Sequence, residues 1–600
     1  MPQQEVLEKR FVVIGAGPAG LTAAYELAKL DLHPLVVEEY DKVGGLARTE
    51  NYQGFHFDMG GHRFFTKVNE VNKMWREVLN GNFLRRPRLS RIFYNCKFFS
   101  YPLKPLNALV GLGFLESTWI LLSYLKWQIF PYQQEDNFEQ WVTNRFGKRL
   151  FQTFFKTYTE KVWGIPCTEL KAEWAAQRIK DLSLKTALIS MFVNSKTTIK
   201  TLIEEFDYPR LGPGMMWRAV QEEIERRDGR VQLNSDVVQI NRTDKRIDSI
   251  VISENGRQTT IQGTHSISSM PVTDFVKRLR PEPGLEVLRA AERLKYRDFL
   301  TVCLIVDKPE LFPDNWIYVH DPAVKVGRIQ NFKNWSPDMV PDSSKSSLGM
   351  EYFCTEGDEL WNMSDADLVE LGKHEVQRIG LASYYDIQDG CVFRVPKSYP
   401  VYDSDYQDSL VRLKEFVSGL ENFETIGRNG LHRYNNQDHA MLTGMLAVRN
   451  LVLGERNDLW SVNADQEYHE EIRAEAELLS PDVVESIEGA LAKVFLKLDR
   501  IAFGLSVGTL SGLVLFLATL ILVLKGGDVV GPRLALLSQY FPGYTVSAEG
   551  SLVGLFYGFI AGFSSGWSFA FLRNAAVFLY AAVVHRRAEL YVLRKLFEYF

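Results

Sequence analysis

Cysteine is scarce in this sequence, and its charge is close to balanced. The five cysteines are scattered, with no C-x-x-C pair and no histidine at metal-ligand spacing, which argues against a disulfide framework and a zinc site. The formal net charge of −5 over 600 residues gives no global field for nucleic acid, so anion recognition must depend on local arginines. Residues 1–10 lack the apolar stretch of a secretory signal, so we expect the N-terminal bulk to stay in the cytoplasm. The composition, 46% hydrophobic and 24% charged, is globular and allows several domains.

Charged residues are also absent from two long runs near the end of the chain. The first run, 501–524, is long enough to cross a hydrocarbon core as a helix. The second run, 551–572, continues after Arg573 as 575–584, and the pattern leaves open whether it forms one helix or two. We therefore expect a transmembrane hairpin at this end of the chain.

Glycine recurs at every fourth position in both apolar runs. This spacing places the glycines on one face of each helix, where missing side chains let backbones approach closely in lipid. The pattern favours packing of the two helices as a hairpin, and it allows homo-oligomers through the same faces. The stripes are Gly504, Gly508 and Gly512 in the first run, and Gly554, Gly558, Gly562 and Gly566 in the second.

Basic residues are distributed unevenly around this hairpin. The outer flanks carry Lys493, Lys497, Arg500, Arg586, Arg587, Arg594 and Lys595, whereas the intervening loop has Lys525 and Arg533. The positive-inside rule then places both ends of the hairpin in the cytoplasm. We expect a protein of the cytoplasmic (inner) membrane whose catalytic domain faces the cytoplasm.

A third apolar region, 106–130, is interrupted by Glu116, Lys126 and Gln128. It is too mixed for a membrane span, and we expect a buried helix, with a helix lying in the membrane interface as the alternative. The stretch 466–500, rich in Glu and Ala, predicts a helical linker to the membrane hairpin.

A glycine-rich turn follows an apolar strand near the N-terminus. After the predicted strand Phe11–Ile14, Gly15 permits a tight turn, Gly17 lets the backbone approach a pyrophosphate, and Gly20 lets the next helix pack close to the sheet. A second strand delivers Glu38 about twenty residues later, where its carboxylate can accept ribose hydroxyls. The pattern predicts a dinucleotide site, disfavours a 2′-phosphate and leaves the choice between NAD and FAD open.

Two further segments resemble amine-oxidase-like flavoproteins and favour FAD. Residues 41–49, DKVGGLART, resemble the second glycine turn of that family, which lines the FAD pyrophosphate and ribityl chain. Residues 57–66, FDMGGHRFFT, resemble the glycine-rich segment that lies against the flavin ring. Val237 is placed like the residue whose backbone meets the adenine. The residues implied by these two segments are Gly44, Gly45, Arg48, Gly60, Gly61 and His62.

The segment 154–164, FFKTYTEKVWG, resembles the Y-T-x-K-Q-W-G signature of UDP-galactopyranose mutases, with Val162 in place of glutamine. The resemblance covers roughly residues 10–450. It implies an isomerisation in which a reduced FAD acts as a nucleophile toward the anomeric carbon, while the sugar ring opens and recloses as a furanose. The other matching pieces, in chain order, are Gly327-Arg328, Tyr399-Pro400-Val401 and Gly427 to Tyr434.

Carried over residue by residue, the resemblance implies three groups of site residues. The residues that would bind the phosphate are Arg328, Arg178, Tyr399 and Tyr434. The wall of the sugar or base pocket would be Trp163 and Tyr158. The residues expected near the flavin are His62, Gly427 and Arg428. The alternatives are a surface ion pair for Arg328 and core packing for the tryptophan and the tyrosines.

Two departures from the mutase pattern change the predicted substrate. Phe65 replaces the second histidine near the flavin, and the soluble mutases have no membrane anchor. We therefore hypothesise a sugar phosphate carried on a lipid, such as a polyprenyl-phosphate sugar of cell-surface glycan biosynthesis. The apolar region 106–130 and a group of arginines, otherwise a solvated surface hairpin, would receive lipid and phosphate. These arginines are Arg85, Arg86, Arg88 and Arg91.

Other functions use the same scaffold. Protoporphyrinogen-oxidase-like and amine-oxidase-like enzymes use FAD to accept a hydride from apolar substrates. The fold alone does not distinguish them from a mutase. A third hypothesis is that the chain serves as a redox or scaffold partner of other membrane proteins. The segment 154–164 favours the mutase.

The expected fold class is α/β, with a Rossmann-like FAD-binding domain of the glutathione-reductase type, a mixed α+β substrate domain and C-terminal transmembrane helices. The FAD-binding domain is expected over 9–70, 210–295 and 420–460. The substrate domain is expected over 71–209 and 296–419. The remaining parts are the linker 466–500, the transmembrane hairpin 501–585 and a cytoplasmic tail, 586–600.

Overall fold

The computed structural model describes residues 10–101, 103, 105–172, 201–202, 205–463, 471–472, 498–526 and 531–597. The chain divides into two compact units, Met1–Ala474 and Glu475–Phe600. The predicted site residue Arg178 and most of the predicted linker 466–500 lie outside the described residues. Within that linker, Glu471–Ile472 pairs as a short strand with Thr201–Leu202, so the helical prediction is wrong at these two residues.

One large sheet of the N-terminal unit has five parallel strands. Phe11 and Val13 of the first strand belong to the core on one face, and Val12 and Ile14 belong to the core on the other. A parallel strand covered on both faces needs a continuous apolar run, which is why this strand does not alternate. Along the sheet the strands are Arg230–Gln232, Leu35–Val37, Phe11–Ile14, His265–Ser268 and Phe423–Thr425.

Helices cover one face of this sheet, and a small second sheet and further helices cover the other. The first face packs against Pro18–Lys29, Gly214–Arg226 and Gln437–Val448. The other face packs against the strands Asp236–Thr243, Arg246–Glu254, Arg257–Gln262 and Leu279–Arg280 and the helices Val272–Arg278, Leu285–Arg293 and Tyr406–Ser418. The predicted α/β class is therefore confirmed.

The second large sheet has seven strands and is mixed. Only Trp316–Val319 and Ser90–Tyr94 pair in parallel, and the other neighbours are antiparallel. Helix Asp365–Ile379 packs on one face, while Phe138–Phe146 and Thr157–Trp163 belong to the core on the other. The strand order is Ile387–Pro400, Tyr296–Val306, Ser346–Cys354, Arg328–Asn331, Trp316–Val319, Ser90–Tyr94 and Lys97–Ser100.

Short elements complete the N-terminal unit. The remaining strand pairs are Thr49–Tyr52 with Phe55–Asp58 and Phe83–Pro87 with Glu205–Pro209. The remaining α-helices are Asn69–Leu79, Pro105–Leu112, Phe114–Ile129, Lys148–Leu150, Phe332–Trp335, Glu359–Asn362 and Gly427–Gly430. Shorter 3-10 turns are Gly45–Ala47, Pro337–Met339, Tyr384–Asp386 and Leu459–Ser461, and π-helical turns are Phe151–Lys156 and Arg449–Leu453.

The apolar region 106–130 is not the buried helix that the sequence favoured. It forms two helices, Pro105–Leu112 and Phe114–Ile129, and Gly113 between them adopts a φ of +85°. The second helix packs one side against Phe138–Phe146 and Lys148–Leu150 and leaves its opposite side open to solvent. The prediction of burial is wrong because the apolar residues surround this helix, whereas only one side has a protein partner.

The C-terminal unit contains two helices that are long and apolar enough to cross a membrane, Arg500–Lys525 and the part Ala548–Ala575 of helix Ala548–Phe597. The second apolar run therefore forms one continuous helix. The two glycine stripes pack against each other, so that a Cβ atom on Gly558 would lie 3.0 Å from the Cα of Gly512. Homo-oligomerisation through these faces stays a prediction. A short α-helix, Pro532–Ala535, and a 3-10 turn, Leu536–Gln539, lie between the two helices.

Replacing Gly444 by alanine should destabilise the fold. A Cβ atom there would lie 2.5 Å from the backbone oxygen of Ala19 and 3.0 Å from the backbone nitrogen of Ala23. The clash costs about 1–3 kcal/mol and outweighs the roughly 1 kcal/mol that alanine gains in helix propensity. Thermal unfolding of the detergent-solubilised chain should show a lower Tm for Gly444→Ala. Gly284→Ala is the control, because nothing lies within 4 Å of its Cβ position, and an equal fall in Tm for both variants would contradict this packing.

Candidate active site

A cleft of about 590 Å³ lies between the carboxyl ends of the parallel strands and the seven-stranded sheet. Ligands of α/β proteins bind at this edge, where loops and helix N-termini meet. The cleft brings together fourteen of the predicted site residues. They are Gly15, Gly17, Glu38, Gly45, Arg48, Gly60, Gly61, His62, Val237, Arg328, Tyr399, Gly427, Arg428 and Tyr434.

The first glycine turn lies at one end of this cleft. Gly15 has a φ of +96°, and a Cβ atom there would lie 2.3 Å from Ser269 Oγ. A Cβ atom on Gly20 would lie 1.9 Å from the backbone oxygen of Gly15. The helix Pro18–Lys29 then starts at Gly17 without a side-chain cap. Its first backbone N–H groups are therefore available to an anion such as a pyrophosphate.

The second glycine turn touches the first. The backbone N–H of Gly44 donates to the backbone oxygen of Ala16 at 2.8 Å. A Cβ atom on Gly45 would lie 3.0 Å from the Cα of Gly17, so side chains on these turns would fill the cradle. Gly20 and Gly44 thus shape the turns from behind, whereas Gly17 and Gly45 face the cleft.

Two charged residues hold the turns in place. Glu38 accepts hydrogen bonds from the backbone N–H groups of Ala16 (2.6 Å) and Tyr40 (3.1 Å), and burial raises the pKa of its carboxyl. Arg48 donates from Nε to Glu50 Oε1 at 2.7 Å and from Nη1 to the backbone oxygen of Gly45 at 3.1 Å. Both side chains line the cleft, and their contacts to ribose and pyrophosphate stay predictions.

A buried ion pair lies at the other end of the cleft. Arg328 donates from Nε to Glu351 Oε1 at 2.8 Å and from Nη2 to the second carboxylate oxygen. Gln330 donates to Glu351 Oε1 at 2.8 Å. Burial disfavours the charged guanidinium, but the carboxylate outweighs burial and holds the pKa of Arg328 well above its usual value. The hydroxyl of Tyr399 lies 3.5 Å from Arg328 Nη2.

An aromatic pair and a second arginine extend this group. The rings of Tyr399 and Tyr434 stack with centroids 5.6 Å apart, and the Arg428 guanidinium lies 4.6 Å from the centre of the Tyr434 ring. Arg428 also donates to the backbone oxygens of Ser398 and Asn435. Burial raises the pKa of Tyr399 to about 12. Tyr399 therefore remains a protonated donor beside two cations.

Uncommitted polar atoms fit a ligand with a polar ring. Burial lowers the pKa of His62 to about 3, with Arg428 and Arg328 adding to the effect, so its imidazole is neutral. Its Nδ1 has no hydrogen-bond partner among the described residues. The same holds for Asn429 Oδ1, Asn435 Nδ2 and Gln437 Nε2, which also belong to cleft residues. Together with the glycine cradle, these groups fit FAD.

Two predicted wall residues do not line the cleft. Trp163 packs edge-on against the Tyr399 ring with centroids 6.2 Å apart. Tyr158 stacks on His320 with centroids 4.7 Å apart. Both are thus placed behind the lining residues, and their predicted role as a pocket wall stays a prediction.

The predicted arginine group is bound to the protein itself. Arg91 forms a two-point ion pair with the buried Asp314, and Arg85 pairs with Asp207 at 3.3 Å. Arg86 donates to the backbone oxygen of Trp335 at 2.9 Å, and Arg88 lies over the Trp316 ring. These contacts weaken the hypothesis that the group is an open phosphate site.

Glu351 and Gln330 are site residues that the sequence did not indicate to us. Glu351 is the only charged residue of strand Ser346–Cys354, all of which is buried. A lone carboxylate in an otherwise uncharged run signals a buried, paired charge. Its partner could not be read from the sequence, because Arg328 is 23 residues away.

Known proteins resemble this chain in sequence and in fold. Residues 18–404, more than half of the chain, match the family of flavin-containing amine oxidoreductases. A solved structure of reduced UDP-galactopyranose mutase gives a TM-score of 0.67 at 21% identity, over 77% of this chain and 99% of that one. A protoporphyrinogen-oxidase-like protein from Exiguobacterium sp. 255-15 gives a TM-score of 0.58 at 16% identity, over 74% and 99%. At these identities the likeness concerns the fold.

Curated relatives match only short parts of the chain. An L-amino-acid oxidase of Sistrurus catenatus edwardsii is 32% identical over 111 residues, which are 16% of this chain and 22% of that protein. An all-trans-retinol 13,14-reductase of Danio rerio is 47% identical over 51 residues, or 8% of each chain. The chain thus spans about a fifth of the length of the L-amino-acid oxidases that it matches.

Replacing Gly15 by alanine should abolish FAD retention. The new Cβ atom would collide with Ser269 and strain the turn that cradles the pyrophosphate. Visible flavin absorbance per protein should fall to background after gel filtration. Gly81→Ala is the matched control, because Gly81 has a φ of +82° with nothing within 4 Å of its Cβ position. Full flavin content in Gly15→Ala would contradict the assignment of the turn.

The neutral His62 should make stability depend on pH. Its folded pKa of about 3 lies below the ordinary 6.5, so the unfolded chain binds more protons between these values. Its share of the stability is complete above pH 6.5 and falls as the pH drops. Relative to the wild type, His62→Phe should therefore gain about 2 kcal/mol between pH 8 and pH 5. Urea unfolding at both pH values measures this, and an unchanged difference would show that His62 titrates normally.

Proposed function

The chain belongs to the family of flavin-containing amine oxidoreductases and is an FAD enzyme, and from this premise we propose that it is a pyranose–furanose mutase. The proposed substrate is a phosphate-linked sugar carried on a lipid, such as a polyprenyl-phosphate sugar of cell-surface glycan biosynthesis. The proposal includes the glutathione-reductase type of the nucleotide-binding fold. It also includes the division of the N-terminal unit into FAD-binding and substrate domains.

The single observation that carries the proposal is the set of polar side chains at the end of the cleft opposite the glycine turns. Enzymes that take a hydride from an apolar amine need an apolar pocket. This cleft instead offers two cations and two hydroxyl donors, which are Arg328, Arg428, Tyr399 and Tyr434. Glu351 accepts hydrogen bonds from Nε and Nη2 of Arg328. Within the described part of the chain, Nη1 of Arg328 has no hydrogen-bond partner. That nitrogen is the proposed contact to the phosphate.

Each side chain then has a defined task. Arg328 holds the phosphate of the sugar, and the Tyr399 and Tyr434 hydroxyls donate to its oxygens. Arg428 donates to the backbone oxygens of Ser398 and Asn435 and so holds the backbone next to each tyrosine. When bound in its reduced form, FAD supplies a nucleophilic centre for exchange at the anomeric carbon. Substrate and product have the same oxidation state, so the reaction needs no net oxidant.

The lipid carrier is proposed from the C-terminal unit. Its two apolar helices, Arg500–Lys525 and Ala548–Ala575, have the length and composition of membrane spans. We place both ends of this hairpin on the cytoplasmic side of the inner membrane. A substrate confined to the bilayer gives a reason for tethering the enzyme to a membrane.

An oxidase or dehydrogenase is the second candidate. The family and the L-amino-acid oxidase relatives favour it, as do the aromatic residues of the cleft, Phe299, Trp316 and Trp335. An oxidase consumes one oxidant per product, whereas a mutase consumes none. Stoichiometry therefore separates the two candidates.

Anaerobic turnover should distinguish them. We expect dithionite-reduced enzyme to interconvert the ring forms of polyprenyl-phosphate galactose through many turnovers without reoxidation. The ring forms are measured by NMR of the intact lipid-linked sugar, because a released sugar would re-equilibrate between its ring forms. Product formation only with an added oxidant would contradict the mutase. If UDP-galactose reacts as efficiently as the lipid-linked sugar, the lipid carrier is wrong and the mutase stands.

Arg328→Ala supplies the matched test of the phosphate contact. It should lower kcat/KM about 100-fold or more, since it removes a charge-assisted contact to the leaving phosphate. Arg91→Ala is the control, because it also leaves a buried carboxylate, Asp314, without its arginine but does not line the cleft. Equal losses in both variants would point to general destabilisation.

A further inference from the structure

Helix Phe114–Ile129 presents a largely apolar surface to solvent, interrupted by Thr118, Lys126 and Gln128. Trp119 is 62% exposed, Leu122 is 51% exposed and Ile129 is 69% exposed, although side chains of this kind are usually covered. Exposed patches of such residues mark interaction surfaces. The exposed surface, here called the 114–130 face, comprises Leu115, Trp119, Leu121, Leu122, Leu125, Ile129 and Phe130.

The protein fixes the rotation of this helix so that the 114–130 face points away from it. Ile120 and Tyr124, on the opposite side, are buried. Glu116 accepts two hydrogen bonds from Arg149, at 2.6 Å from Nε and 2.8 Å from Nη2. This ion pair uses the one carboxylate of the helix. The exposed stripe, which recurs at helical spacing through Leu115, Trp119 and Leu122, therefore carries no negative charge.

The composition of the face indicates what covers it. Amphipathic helices in a membrane interface combine large apolar side chains with tryptophan and lysine near the headgroups. Trp119 lies within the face, and Lys126 and Trp127 stand at its C-terminal end, with the Lys126 ammonium 5.9 Å from the Trp127 ring centre.

We propose that the 114–130 face lies in the interfacial layer of the lipid bilayer. The occupant is a bilayer rather than a second copy, because the same chain carries two helices of membrane-spanning length, and tethering gives lipid a high effective concentration at this surface. The inference rests on the membrane assignment made above, but not on the sugar chemistry. It gives the chain a second contact with the membrane, in addition to the C-terminal hairpin.

Nitroxide accessibility in the full chain tests this contact. A cysteine replaces Leu122, Val411 or Leu513 in a background in which Cys96 and Cys391, the native cysteines that are not buried, are changed to serine. Each protein is spin-labelled and reconstituted in phospholipid nanodiscs. Val411, on helix Tyr406–Ser418, is the matched control because it is 53% exposed, whereas Leu513 reports on the hairpin. Flavin content and circular dichroism confirm that each variant folds.

We expect the ratio of oxygen to nickel-complex collisions to be several-fold higher at Leu122 than at Val411, and highest at Leu513. A lipid reading at Leu513 with equal, aqueous readings at Leu122 and Val411 would overturn the contact while leaving the hairpin intact. An aqueous reading at Leu513 would overturn the membrane assignment and the contact together. Spin–spin broadening with an aqueous reading at Leu122 would assign the face to a second copy instead.

Discussion

The register of the seven-stranded sheet places Arg328 directly opposite Glu351, and the chemistry of the cleft depends on this buried pair. Two unpaired charges at these positions would each cost several kcal/mol, and removing one partner of such a pair costs about 3–5 kcal/mol. A slip of strand Arg328–Asn331 by one residue would turn Arg328 to the other face of the sheet, away from Glu351. Fold and site are therefore coupled, because the register that satisfies the charges also brings Arg328 to Tyr399.

Features encoded by neighbouring residues could be predicted from the sequence. The apolar strand, the glycine turns and Glu38 lie within one short segment, and the structure collects them at one end of the cleft. Glu351 was missed because its role comes from a strand pairing. The position of Trp163 behind Tyr399 could not be read from the sequence, because a signature does not give depth. The helix after Gly113 was expected to be buried, since its sequence does not show that only one side has a partner.

The two large sheets contribute different groups to the cleft. The parallel sheet contributes backbone turns, which suit a cofactor held by its phosphates, while the mixed sheet and residues 427–434 contribute arginines and tyrosines. Membership of the family alone would favour an oxidase. The arginines and tyrosines of the cleft are the reason for proposing isomerisation of an anionic sugar instead. The exposed helix of the catalytic unit and the C-terminal hairpin both favour a substrate that resides in lipid.

Positional isotope exchange tests the central claim most directly. The substrate is polyprenyl-phosphate galactose labelled with oxygen-18 at the bridge between sugar and phosphate, incubated anaerobically with the reduced enzyme. A mutase breaks and re-forms the bond at the anomeric carbon, so the label should spread into the non-bridging oxygens of the recovered substrate. An enzyme that only removes a hydride leaves the label at the bridge. Full retention of the label, with product formed in proportion to an added oxidant, would contradict the account.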